Sequence, residues 1–342
     1  VAISPSTGKI RIGTAGWSYA DWYGTFYPVS GKKRGFDELA FYSEHFDFVE
    51  LNSSYYRIPS PFLIESWIER TPDDFLFAVK AFSGLTHYFE TTATSSFGEF
   101  ALAVAPMREA GKLGAVLMQF RPRFRRDKTG IAYLRLLPEL LPELPVVIEL
   151  RHQSWVDGPA QDETVDLLRG LGLGFCCVDE PQVKGNMPPV TATTGSVGYV
   201  RFHGRNYADW WPAINQRRAQ QLRGEIRRDS GSPRERRVRE KDLEKQLENQ
   251  KSQRYNYLYS QAELFPWRER IEAIDREAVT TFAVTNNHFV GQAVANAKML
   301  QVMFNEPQRG EETDHLRKLV QLGMELERAR SWEVLTADPK TD

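Results

Sequence analysis

Cysteine is almost absent from this 342-residue chain: there are two, Cys176 and Cys177, and they are neighbours. Adjacent thiols make a structural disulfide implausible, and so few in a chain this long point to a reducing compartment. Histidine is scarce too, with six, and no HxH or HExxH pattern offers a ready zinc signature. Gly13 and Gly16 in "GTAG" do not make a dinucleotide fingerprint, because GxGxxG is missing. Ser18, Ser53 and Ser54 stand in no nucleophile elbow. No uncharged apolar run reaches membrane-spanning length, and the opening "VAISPSTGKIRIG" lacks a charged segment followed by an apolar one. A soluble, cytoplasmic protein without membrane contact is the expectation. Charge of one sign does not dominate: the formal net charge is −1, which gives no overall pull toward nucleic acid. It is unevenly spread, however, since residues 217–254 hold 13 Lys/Arg against 7 Asp/Glu.

What is present is apolar material for a large core, 41% of residues, arranged in short runs. Eight of these, at 9–16, 46–52, 75–81, 114–120, 145–150, 174–180, 198–204 and 280–287, are rich in Val, Ile and Phe without polar alternation. That pattern predicts strands covered on both faces. Helical patterns separate most of them: 61–70 behind Ser60 and Pro61, 161–172 ending at Gly172, and 291–304. Eight strands alternating with helices predict an α/β fold, a single (β/α)8 TIM-type barrel over 9–304, with a doubly wound sheet as runner-up. Between strands six and seven the spacing predicts a loop. Between seven and eight lies a charged, partly helical or flexible insertion at 215–253. Residues 311–332 read as an extra amphipathic helix whose stripe of Leu316, Leu319, Val320 and Met324 docks on the barrel. His45 and His315 fall on helical patterns as surface residues, and the two cysteines as core.

Polar residues gather at the strand ends: Glu50 and Asn52, Lys80, Gln119, Glu149 and Arg151, Asp179, Arg201 and His203, Asn286 and His288. Several are spaced i, i+2, which puts both side chains on one face of a strand. An ionised group left unpaired in a dry interior costs several kcal/mol, so these must pair or face a wet cavity. In a barrel all eight ends converge on one mouth. The loops that follow are aromatic, with Trp17 and Tyr19, Tyr55 and Tyr56, Tyr207, Trp210 and Trp211, and such rings beside cations suit bases, sugars or phosphates. A salt-bridge belt with plugging rings is the purely structural alternative.

The segments "GTAGWSYADWYGTFYP", "FVELNSSYYRIPS", "FAVKAFSGLTH", "LGAVLMQF", "IELRHQSW", "YVRFHGRNYADWW", "RYNYLYSQAEL" and "NNHFVGQAVANA", taken in order, resemble the YecE-like family, domain of unknown function seventy-two. The resemblance runs from about residue 10 to 304. It implies a TIM-type barrel and supplies motif positions, but no reaction. Ala15, "QFRP" and "RHQSW" depart from the family pattern without removing a chemical group, and the basic insertion is longer than the family's.

The preferred chemistry is metal-free. Arg201, Arg205, Arg151 and Lys80 would hold the phosphate or carboxylate of a small anion, with room in the reading for one that carries a sugar or nucleotide. Glu149 or Asp179, raised by burial, or His203 near neutrality, would act as acid or base. Glu50, Asn52, Gln119, Asn286, Asn287, Trp17 and Tyr55 would line the ligand. One alternative is a divalent metal on Glu50, Glu149, His152, Asp179, His203 and His288, as in phosphodiesterase- or isomerase-like barrels; it is disfavoured because Arg151, Arg201 and Lys80 would repel the ion. The other is a non-enzymatic nucleic-acid binder using the aromatic mouth and the basic insertion.

Overall fold

The computed structural model describes residues 10–32, 35–89, 93–210, 216–229 and 231–326. The eight predicted strands are all there: β1 Ile10–Ala15, β2 Phe48–Leu51, β3 Leu76–Lys80, β4 Leu113–Gln119, β5 Val146–Glu149, β6 Gly174–Asp179, β7 Val197–Phe202 and β8 Thr280–Thr285. Each pairs in parallel with its sequence neighbours, and β8 closes on β1, with Ile10 opposite Thr281. The open-sheet alternative is thereby overturned. Closure explains the unbroken apolar runs, since one strand face fills the barrel and the other meets helices.

The helices are α1 Glu38–His45, α2 Pro61–Glu69, α3 Ser83–Thr86, α4 Ser95–Glu109, α5 Lys128–Leu140 and α6 Ala160–Gly170, then α7 Gln216–Arg228, α8 Pro233–Gln253, α9 Gln261–Glu277, α10 Gln292–Met303 and α11 Asp314–Glu325. The Ser60 side chain caps α2 with Pro61 in its first turn, as the sequence predicts. A full capping box starts α9, with Ser260 and Glu263 exchanging side-chain-to-backbone bonds. Among the described residues no helix lies between β6 and β7. The insertion forms two helices, α7 and α8, which pack on each other and bury Ala219 and Leu243.

Two expectations about the outer coat need correction. Of the C-terminal stripe Leu316, Leu319 and Val320 dock on the core as expected, but Met324 is 40% exposed, and Gly323 lies on Met299 instead. The last residues of the predicted helix, 327–332, fall outside the described residues. His45 is buried, not on the surface. It lies under the turn at Gly310, where a Cβ would come within 2.4 Å of the imidazole.

Inside the barrel Phe48 and Phe282 pack with ring centres 4.4 Å apart, and Tyr199 lies 5.8 Å from Phe282. Gly114 makes room for this cluster, because a Cβ there would stand 2.5 Å from Phe282 Cζ. Overpacking of this kind costs about 1–3 kcal/mol. Gly114→Ala is therefore expected to lower the urea midpoint by that equivalent with the m-value unchanged, and an unaltered midpoint would contradict the packing described.

Candidate functional site

The C-terminal ends of the strands carry a network built in layers. At its base Arg201 of β7 reaches across the interior to β2. Its Nε donates to Glu50 Oε2 at 2.9 Å and its Nη2 to Oε1 at 2.7 Å, while Tyr199 adds its hydroxyl to Oε2 at 2.9 Å. The remaining guanidinium nitrogen, Nη1, donates to Glu149 Oε2 of β5 at 2.6 Å. Glu149 Oε1 accepts from Gln119 Nε2 at 2.7 Å and from His203 Nε2 at 3.1 Å. Asn286 Nδ2 donates to His203 Nδ1 at 2.9 Å, which fixes the imidazole with its proton on Nε2. Glu50, Glu149, Arg201 and His203 are at most 1% exposed.

Above this base the cations Arg151, Lys80 and Arg254 are only partly covered. Arg151 lies 3.5 Å from Glu149 and 2.8 Å from Glu180. Lys80 holds its ammonium 4.7 Å from the centre of the Tyr55 ring, and among the described residues no oxygen accepts from it. Arg254, just beyond α8, lies 4.0 Å from the centre of the Trp210 ring, which itself faces Arg151 at 5.7 Å and His203 at 6.5 Å. Asn206 donates to the Gln253 carbonyl at 2.8 Å. The two feet of the insertion are thus joined over the mouth, and Trp210, 1% exposed, is clasped between them and the network. On the β8–β1 side His288 is stacked on Tyr19 at 4.5 Å, with Tyr255 4.9 Å away.

Strand parity decides which of the expected residues meet. Glu50, Lys80, Gln119, Glu149, Arg151, Arg201, His203 and Asn286 come together. Asn52 lies by the Tyr19 phenol, which itself donates to the Ala15 carbonyl at 2.6 Å, and Tyr55 lies beneath Lys80. Asp179 and Arg205 pair instead on the outer face of the wall: Arg205 Nε and Nη2 donate to the two Asp179 oxygens at 2.8 and 2.5 Å, and Tyr259 and Trp267 supply two more donors at 2.7 Å. Asn287, also outward, donates to the Tyr257 carbonyl and to Asn296. Trp17 packs edge-on against Trp67 at 5.6 Å. Trp211 falls outside the described residues. Of the metal-type residues, His152 accepts from the Ser154 backbone and His288 is held in its ring stack, so neither joins Glu50 and Glu149. Among the described residues no group of three or more His, Cys, Asp or Glu could hold a metal ion. No helix there is long and apolar enough to cross a membrane.

A family model described as "Protein of unknown function DUF72" matches residues 11–318, from β1 into α11. The chain belongs to the DUF72 family. Its relatives include the UPF0759 protein YunF of Bacillus subtilis, 30% identical over 298 residues that cover 85% of this chain and 93% of that protein. The UPF0759 protein YecE of Escherichia coli is 27% identical over 183 residues, 52% of this chain and 62% of YecE. A solved DUF72 structure from Thermotoga maritima superposes with a TM-score of 0.66 at 30% identity, covering 87% of this chain and 99% of that one. One from Enterococcus faecalis gives 0.69 at 25% identity, covering 90% and 100%.

In this DUF72 barrel the protonation states differ from those expected of the residues alone. Burial by itself would raise the Glu149 carboxyl, but Arg201, His203 and Arg151 outweigh it and hold the group well below the usual carboxylate range. Burial, reinforced by Arg201, pushes His203 down to about 3 despite Glu149, so the ring does not titrate near neutrality. The carboxyl that burial does raise is Glu180, one residue beyond Asp179 and on the mouth-facing side of the strand. Burial and Arg201 likewise bring Lys80 down to about 8. Glu180, Arg254 and Tyr255 were missed from sequence. The alternation Cys176, Val178, Glu180 on one face carries the first, whereas nothing local signals that the end of a charged insertion returns to the mouth.

Two outcomes follow for the DUF72 network. Arg201→Met leaves Glu50 and Glu149 buried without their counter-ion, and loss of one partner from such a site costs about 3–5 kcal/mol. Urea denaturation should show a loss of that order; a change under 1 kcal/mol would refute the bracing role. Histidines held neutral in the fold protonate freely once unfolded. His203 therefore contributes stability that is complete above the unfolded value near 6.5 and falls as pH drops toward about 3. The loss is about 1.4 kcal/mol per pH unit. His203→Gln should flatten the stability–pH curve between pH ~6 and ~4 relative to the parent, and parallel curves would contradict the assignment.

Proposed function

We propose that the barrel mouth binds a small anion, a phosphate or carboxylate compound, and that acid–base chemistry is performed on it there. The observation that carries this reading is the surplus of cation donors above the network. Three carboxylates, Glu50, Glu149 and Glu180, face four cations, Arg201, Arg151, Lys80 and Arg254. Arg201 saturates the first two. Among the described residues Lys80 and Arg254 make only ring contacts. Donors left without oxygen acceptors at a partly covered mouth suit a ligand that brings its own, and charge-assisted bonds to such a ligand are strong.

The titration pattern divides the labour. Glu149 stays ionised and orients Arg201 and His203, whereas Glu180 and Lys80 have shifts that bring them toward neutral pH, where proton transfer is efficient. Asn286 and Gln119 hold the neutral His203 and the Glu149 carboxylate in place. Tyr56 and Tyr88, 80% and 59% exposed beside Tyr55, offer ring faces at the rim for a sugar or base.

Titration calorimetry of the full chain with inorganic phosphate, and separately with citrate, tests the anion. Lys80→Met and Arg254→Leu should each weaken binding about tenfold, the loss of one charge-assisted contact. Binding that both variants leave intact would place the anion elsewhere. The nucleic-acid alternative draws on the same cations and the +6 insertion. It would replace the small-anion reading if a single strand bound with steep salt dependence while phosphate and citrate did not bind.

A further inference from the structure

We propose that Lys80 is a nucleophilic amine and that the ligand of the mouth carries an aldehyde or ketone beside its anionic group, so that the two form a Schiff base. This builds on the anionic-ligand reading and names the reacting group.

The argument starts from what surrounds the amine. Each carboxylate near it is already engaged: Glu50 by Arg201 and Tyr199, Glu149 by Arg201, Gln119 and His203, Glu180 by Arg151 and the Met187 backbone. Lys80 is left with the face of Tyr55 and with the field of its neighbours, Arg201 and Arg151 against Glu50 and Glu149. The contrast with the other buried lysines is sharp. Lys112 donates to the Ile68 and Thr71 carbonyls and to the Thr71 hydroxyl. Lys298 donates to the Arg309 carbonyl and lies 3.6 Å from Glu312. Those two are structural ammonium ions with their acceptors in place. Lys80 has a half-buried ammonium beside the Tyr55 ring and feels the fields of two guanidinium groups, a setting that lowers the cost of giving up its proton. The lowering to about 8 agrees with this.

The step balances without a cofactor. The Nζ lone pair forms the C–N bond to the carbonyl carbon, and the C=O π pair moves to oxygen. Both protons of the neutral amine leave with that oxygen as water, giving C=N. No electron is gained or lost overall. Arg151, whose field reaches the amine, and Arg254, which shares the Trp210 ring with Arg151, would seat the anionic group of the same ligand.

Pyridoxal 5′-phosphate, an aldehyde that carries a phosphate, is a suitable probe, and pyridoxal is its phosphate-free partner. The full chain is incubated with each at about pH 7.5, reduced with borohydride and mapped by peptide mass. Modification at Lys80 is expected at least about tenfold above the exposed Lys184, Lys241 and Lys245, because far more of a lowered-pKa amine is neutral there. Inorganic phosphate should suppress it, and Lys80→Arg should abolish it. Modification spread evenly over exposed lysines, with phosphate binding intact, overturns the nucleophile and leaves the anion reading standing. Equal labelling of Lys80 by pyridoxal, unaffected by phosphate, supports the amine but overturns its pairing with an anionic ligand. Because the unaltered chain supplies the decisive labelling, a folding defect in the variant does not blunt the result.

Discussion

Arg201 is the hub on which the rest of the mouth depends. One guanidinium uses its fork on Glu50 across the barrel and its third nitrogen on Glu149, joining β2, β5 and β7 through the interior. Such a buried triad is costly to desolvate, and its net worth relative to an apolar core is small. Its effect is to settle which charges remain. By absorbing two carboxylates it leaves Lys80 and Arg254, among the described residues, without an oxygen acceptor. The same arrangement keeps His203 neutral and Glu149 ionised, so the base of the mouth is electrostatically fixed, while one layer up burial lowers Lys80 and raises Glu180.

The charged insertion has its meaning in this context. Its helices pack on each other, but its two ends are held at the strand ends by Asn206, Gln253, Trp210 and Arg254. A segment that looks like a solvated appendage in composition thus finishes as part of the roof. The cation–π contact of Arg254 on Trp210 is worth about 1–2 kcal/mol when shielded from water, and it sets the ring over Arg151 and His203.

Much of this architecture was legible in the residues. Apolar runs without alternation gave the strands, and the i, i+2 spacing of Glu149 with Arg151 and of Arg201 with His203 placed each pair on the inner face. Parity is ambiguous in the sequence where two polar residues adjoin. In "DE" at 179–180 the inward carboxylate is Glu180, while Asp179 anchors the outer helix through Trp267; in "NN" at 286–287 the inward amide is Asn286. A single strand read alone does not say which phase faces in. The interior position of Cys176, beside Glu149 and Arg201, supplies that phase. Protonation was the other gap. Burial argues for a raised Glu149, and only the assembled geometry shows three positive or polar neighbours outweighing it. The return of Arg254 to the mouth is a contact made by a distant part of the chain and leaves no local trace.

The adjacent cysteines divide the wall of the barrel between them. Cys176 points into the interior, and Cys177 points outward, its thiol near the Ala192 carbonyl. Burial raises both thiols and keeps them inert in the closed state. They amount to two built-in sensors on either side of one strand. Peeling of the helical coat would unmask the outer sulfur alone, whereas separation of the strands would unmask both, so alkylation at the two positions distinguishes loosening of the shell from rupture of the cylinder.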